Sequence, residues 1–182
     1  MSFRVGTDAR CLNTDFVRGM GEYLAPLASL TETQGAWKPA EDVWSVIDNT
    51  EHLYRAEQAG ISLIWTAADG VRRGTSVWKD ELPHRGLSIE TIVERTWAPR
   101  AIAPESARPQ WGGPLSYWLA ALQSNAPMLV ALAPQLEGLD LDSVVYPHPI
   151  SGPLDARQRL EFLRFHIDRH RDQVKRLMAT SG

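Results

Sequence analysis

Apolar residues along this chain recur at three- and four-residue spacing in four long stretches, which is the period of one helix face. In the first, Phe16, Met20, Tyr23, Leu24, Leu27 and Leu30 predict a helix over about 13–31, weakened by Gly19, Gly21 and Pro26. A second helix is expected from about 39 to 68. Pro39 suits a first helical position, Glu41 and Asp42 suit the positive end of the helix dipole, and Gly70 is a plausible stop. A third runs over about 114–136, with a bend expected at Pro127. The last opens on Asp155 and Gln158, which have capping-box spacing, and carries Leu160, Leu163, Ile167, Val174 and Leu177 in one stripe. Position 170 fills the gap in that stripe, and it is a histidine. Ser88 can cap a short helix over 89–96. Strand signals are weak, and 69–86 and 137–153 read as irregular. The pattern predicts an all-α four-helix bundle with long inter-helix loops, forming a single domain over 1–182.

Composition narrows the function classes. The chain has 182 residues, 43% of them apolar and 23% charged, an ordinary balance for a folded domain. A net charge of −3 argues against nucleic-acid binding by bulk charge. Cys11 stands alone, which excludes an internal disulfide and a thiolate zinc cage, and suits a cytoplasmic protein. The most apolar stretch, 114–136, is interrupted by Gln123, Ser124, Asn125 and Pro127, so a membrane span is not expected. Seven tryptophans supply large contact area for a cleft or an interface, with core packing as the default. Trp111 and Trp118 flank the start of the third helix and could wall a pocket. There is no Ser-His-Asp order, phosphate-binding glycine loop or dinucleotide fingerprint.

The candidate chemistry lies in the histidines. His166 and His170 are four apart on the last helix, which puts both on one face, with Cβ atoms about 5–6 Å apart. Two imidazoles so placed can share one metal ion. The competing reading is a solvated or internally satisfied pair on a charged helix. His52, in the second helix, shares its face with Asn49, Ala56, Ala59 and Leu63, so it plausibly looks into the bundle. It could equally be a lone core histidine.

The segment Trp44-Ser-Val-Ile-Asp-Asn-Thr-Glu-His52-Leu53, followed by Glu57, resembles the second helix of the DinB/YfiT-like superfamily. The stretch from His148 to Leu154, then Leu160 to Val174 with His166 and His170, is similar to that family's final helix and its lead-in. The resemblance implies an up-down-down-up bundle with a three-histidine metal site at His52, His166 and His170. It implies a divalent ion, nickel or zinc first, with iron, copper or manganese also admitted. Family members include thiol transferases that use low-molecular-weight thiols such as bacillithiol, and mycothiol-dependent isomerases. A homodimer acting on a small-molecule substrate is therefore expected, with neither nucleic acid nor membrane as partner. The region 69–112 departs from the plainest family pattern, as an insertion able to lid or reshape the cleft.

Three neutral imidazoles leave coordination positions open, and a metal there can lower the pKa of water or activate a thiolate. Hydrolysis and thiol transfer are both accessible from such a site. The alternative is a non-catalytic metal-binding or stress-associated dimer. Asp48 and Gln173 share faces with the histidines and are candidates for orienting them, against a simple solvated role. His148, between two prolines, is a candidate proton carrier or a turn-filling residue. Glu57 matches the family segment, but its angle from His52 disfavours direct ligation.

Overall fold

A computed structural model describes residues 9–76, 78–97 and 103–180. It is an all-α bundle of four long helical stretches, α1 (Ala9–Leu24), α3 (Val46–Arg72), the pair α5 (Leu115–Gln123) and α6 (Asn125–Leu136), and α7 (Ala156–Thr180). Short helices α2 (Glu32–Ala36) and α4 (Ile89–Thr96) lie in the connections. No helix among the described residues is long and apolar enough to cross a membrane.

Local chemistry sets the helix boundaries. The first helix begins earlier than its apolar pattern suggests and ends at Leu24, giving way to a 3-10 turn, Ala25–Ser29, where Pro26 stands near the start. The second does not begin at Pro39. Ser45 caps it: its hydroxyl accepts from Asp48 N–H at 3.0 Å, and Asp48 Oδ2 accepts from Ser45 N–H at 2.9 Å. This reciprocal box satisfies two end donors, which a proline in the first turn cannot do. The helix then runs past Gly70 to Arg72, and Gly74, with φ +68°, follows its end. The third stretch breaks at Ser124, not at Pro127 itself. Pro127 has no N–H to offer the Gln123 carbonyl, so it sits in the first turn of a new helix, where none is required.

The expected irregular stretch before α7 holds a two-stranded antiparallel ribbon, β1 (Val145–His148) with β2 (Gly152–Asp155), in register from Val145 opposite Asp155 to His148 opposite Gly152. Pro147 faces Pro153 across it, and Gly152 turns at φ +74°. Prolines and glycine hide such a ribbon from any alternation test. The Asp155–Gln158 capping box forms as expected, with Gln158 N–H on Asp155 Oδ1 at 2.8 Å.

Phe16, Met20, Leu53, Ile61, Ile64, Trp118, Leu122, Leu160 and Ile167 are among the side chains that close the main core. Burial of each large apolar side chain contributes about 1.5–3 kcal/mol. A smaller cluster, Ile89, Ile92, Leu154 and Phe162, fastens α4 and the ribbon to α7. α7 packs against both α1 and α3, and this brings the histidine-bearing faces of α3 and α7 together.

Candidate metal centre

His52, His166 and His170 meet in the structure. All three are buried, and a ring nitrogen from each lies within 4.8 Å of the others. His52 Nε2 and His166 Nε2 stand 3.1 Å apart. The ring centroids are 4.7 to 5.0 Å apart. Among the described residues no fourth histidine, cysteine or carboxylate joins the group.

Each ring is held from behind at Nδ1. His52 Nδ1 faces the Ala107 carbonyl at 2.7 Å, so it donates there. His170 Nδ1 faces Asn49 Oδ1 at 2.9 Å. Asn49 Nδ2 donates to the Ser45 carbonyl at 2.8 Å, which fixes the amide so that its oxygen faces the ring. Both rings therefore present Nε2 as a lone pair toward the centre. His166 Nδ1 lies 3.1 Å from Glu57 Oε1, and Glu57 is fully buried. Burial pushes the Glu57 carboxyl well up, and Arg159 opposes that. A cation among the rings would favour an ionised Glu57, which accepts the hydrogen bond from His166 Nδ1–H and leaves the third Nε2 as a lone pair.

The residues fit a divalent ion. Two nitrogens, each about 2.0–2.1 Å from one ion at tetrahedral to octahedral angles, stand about 2.9–3.4 Å apart. The 3.1 Å between His52 and His166 falls inside that range, and a His170 nitrogen stands within 4.8 Å of both. Burial, then the neighbouring histidines, pushes His166 well below the ordinary imidazole range. Burial chiefly does the same to His170, and it lowers His52. Rings of this kind are neutral at pH 7, the form that ligates metal.

Beside the rings opens a cavity of about 800 Å³, with a mostly apolar lining. Trp44 covers one side of the cluster, its ring centroid 4.9 Å from His52 and 6.3 Å from His170. Part of the 69–112 region forms another wall: Ala103, Pro104, Ser106 and Ala107 all line the cavity. Glu51, beside His52 on α3, anchors that wall by accepting N–H groups from Gln110 at 2.6 Å, Trp111 at 3.0 Å and Gly112 at 3.0 Å.

The other candidates are placed differently. Asp48 is occupied by the Ser45 cap and by Lys38 Nζ at 2.6 Å; its neighbour Asn49 makes the ring contact. Gln173 lines the cavity without a ring contact of its own. His148 also lines it, but its Nδ1 accepts from Ile150 N–H at 3.2 Å and Ser151 N–H at 3.0 Å, closing the ribbon turn. Burial pushes His148 down to about 3, so at neutral pH it is a poor proton acceptor. Trp118 is core, Trp111 is exposed and stacked on it, and Trp44 and Trp97 are the tryptophans on the cavity.

Sequence reasoning missed Trp44, Ala107 and Asn49 as functional positions. Asn49 was legible as a neighbour of His52 at an offset of three. A backbone carbonyl such as that of Ala107 leaves no signal in residue type. No curated protein matches the chain. The sequence model of the DinB superfamily matches residues 15–174, and with this bundle and its histidine cluster the chain belongs to that superfamily.

Proposed function

We propose that the protein is a metal-dependent enzyme, a hydrolase or thiol-S-transferase acting on a small molecule, in which His52, His166 and His170 hold a divalent ion, nickel or zinc first. The observation that carries this is the convergence of three buried, back-braced imidazoles on a point beside an open, largely apolar cavity. A divalent ion there supplies Lewis acidity and a water- or thiol-derived nucleophile at neutral pH. The chain's own residues do the rest. Ala107, Asn49 and Glu57 fix the ring orientations. Trp44, Phe162 and Leu163 give the approach an apolar lining. His148, held at Nδ1 by two N–H donors, carries its proton on Nε2 and lines the cavity. A closed structural shell needs a fourth protein ligand, and none stands with these three among the described residues. A homodimer and a low-molecular-weight thiol partner belong to the proposal on family likeness alone.

The test is metal content by mass spectrometry of the untagged chain beside His52→Ala, His166→Ala and His170→Ala. About one ion per chain, lost in all three variants, is the expected result. It is followed by a hydrolase and thiol-transfer screen with that ion. No ion after reconstitution, with variants of unchanged stability, overturns the reading.

A further inference from the structure

A buried arginine, Arg159, is among the residues that line the cavity. Arg159 lies on α7 two turns before His166, on the same face, and lines the same cavity. It is only 5% exposed, and its Nε and Nη1 make no hydrogen bond. No carboxylate of the described residues forms an ion pair with it; Glu57 and Tyr146 act on it only through space. Glu57 spends Oε1 on His166, and its Oε2 is also bare. A buried guanidinium without a hydrogen-bonded carboxylate is costly, and Glu57 offsets that only through space.

The surroundings suit an anion with an apolar body. Arg55, Arg169 and Arg176 also line the cavity, against Asp42 as the one acidic residue lining it among the described residues. Leu63, Phe162, Leu163 and Ile150 supply apolar walls. Gly60 faces the guanidinium: a Cβ there would stand 3.7 Å from Arg159 Nη2 and 3.0 Å from Leu163, so glycine leaves room. Among the described residues Arg159 is the only buried arginine, and one buried positive charge matches one carboxylate. A phosphate ester carries closer to two negative charges, more than one buried guanidinium offsets.

We propose that Arg159 anchors the carboxylate of the substrate, so that the cavity takes a small carboxylic acid with its apolar body along the α3–α7 walls and its other end toward the histidine cluster. The identity of the reacting end rests on the metal-dependent reading above; the anion site does not. The competing role for Arg159 is that of a structural counter-ion to Glu57.

The experiment is calorimetric and thermal-shift titration of the full chain with straight-chain monocarboxylates of increasing length, their primary amides, and inorganic phosphate. Each is run with metal present and after chelation, on the parent, Arg159→Lys and Arg159→Met. The expected result is carboxylate binding that survives chelation. It should weaken at least about tenfold for the amides and for Arg159→Met, with Arg159→Lys between. The Tm of unliganded Arg159→Met should be unchanged or higher, because the variant removes an unpaired buried charge. Arg159 is a counter-ion, and the proposal fails, if Arg159→Met melts lower and amides bind as well as acids. Phosphate binding as tight as the carboxylates, or no carboxylate binding at all, also overturns it. Carboxylate binding that vanishes on chelation and ignores Arg159 places the anion on the metal: this proposal falls and the metal reading stands. Arg159-dependent binding in a chain that never takes up metal gives the reverse.

Discussion

The Asn49 side-chain oxygen accepts from His170 Nδ1 at 2.9 Å, while the same amide's nitrogen is tied to the Ser45 carbonyl at 2.8 Å. A residue in the first turn of α3 thus sets the tautomer and tilt of a ring on α7. Asn49→Leu should keep the bundle but weaken divalent-ion affinity about 10–100-fold, the usual cost of losing a ring-orienting partner. Asn49→Asp, which keeps an acceptor at that place, should bind at least as well as the parent. Competition against a chromophoric chelator reads both. Equal affinity for Asn49→Leu and parent would show that the ring is held by packing alone.

Glu51 should matter to stability more than its place beside His52 suggests. It is fully buried and receives three backbone N–H groups from residues 110–112. Glu51→Ala leaves those donors bare, at a cost on the order of 3 kcal/mol. It also frees the strand of chain that carries Ala107 to His52. Urea unfolding should show the loss, and metal affinity should fall with it. A variant as stable as the parent would mean that water replaces the carboxylate without cost.

Acid should destabilise the fold partly through His148. Its folded pKa is held down to about 3 by burial, well below the ordinary value of 6.5 for the unfolded chain. Between these values the unfolded state binds a proton that the folded state does not, so stability falls as pH drops from about 6.5 toward about 3 and is flat above. His148→Phe should take up about one proton fewer on unfolding across that window. Unfolding free energies measured at a series of pH values test this; an unchanged slope would refute it.

Metal should stabilise the native chain by mass action. At a hundredfold excess over Kd a divalent ion adds about 2.7 kcal/mol, or roughly 5–10 °C in Tm for a domain of this size. Chelation should reverse the gain, and His166→Ala should abolish the response. A Tm that ignores nickel, zinc and chelator alike would argue that the rings satisfy one another without an ion.

The helices α3 and α7 were readable because amphipathic periodicity and capping are local, and so was the His166–His170 pair, which one helix turn dictates. The start of α3 was misread because Pro39 with two following acids imitates a helix start; the Ser45–Asp48 box, three residues apart, was the stronger signal. The ribbon before α7 was hidden by its prolines, and Asp48 was a candidate for the ring contact that its neighbour Asn49 makes.

The chain alone determined the all-α class, the absence of an internal disulfide and the place of His170 within an apolar stripe, since each follows from composition or from a period of a few residues. It also offered His52 as a third ligand, through family likeness and a mostly apolar face. Only the tertiary structure decided that His52 Nε2 comes within 3.1 Å of His166 Nε2. Only it showed that Ala107, Asn49 and Glu57 brace the rings, and that Arg159 is buried on the same cavity with Nε and Nη1 unbonded. The physical reason is distance along the chain. Backbone carbonyls leave no trace in residue type, and contacts spanning more than a hundred residues depend on how helices cross, which no local pattern encodes.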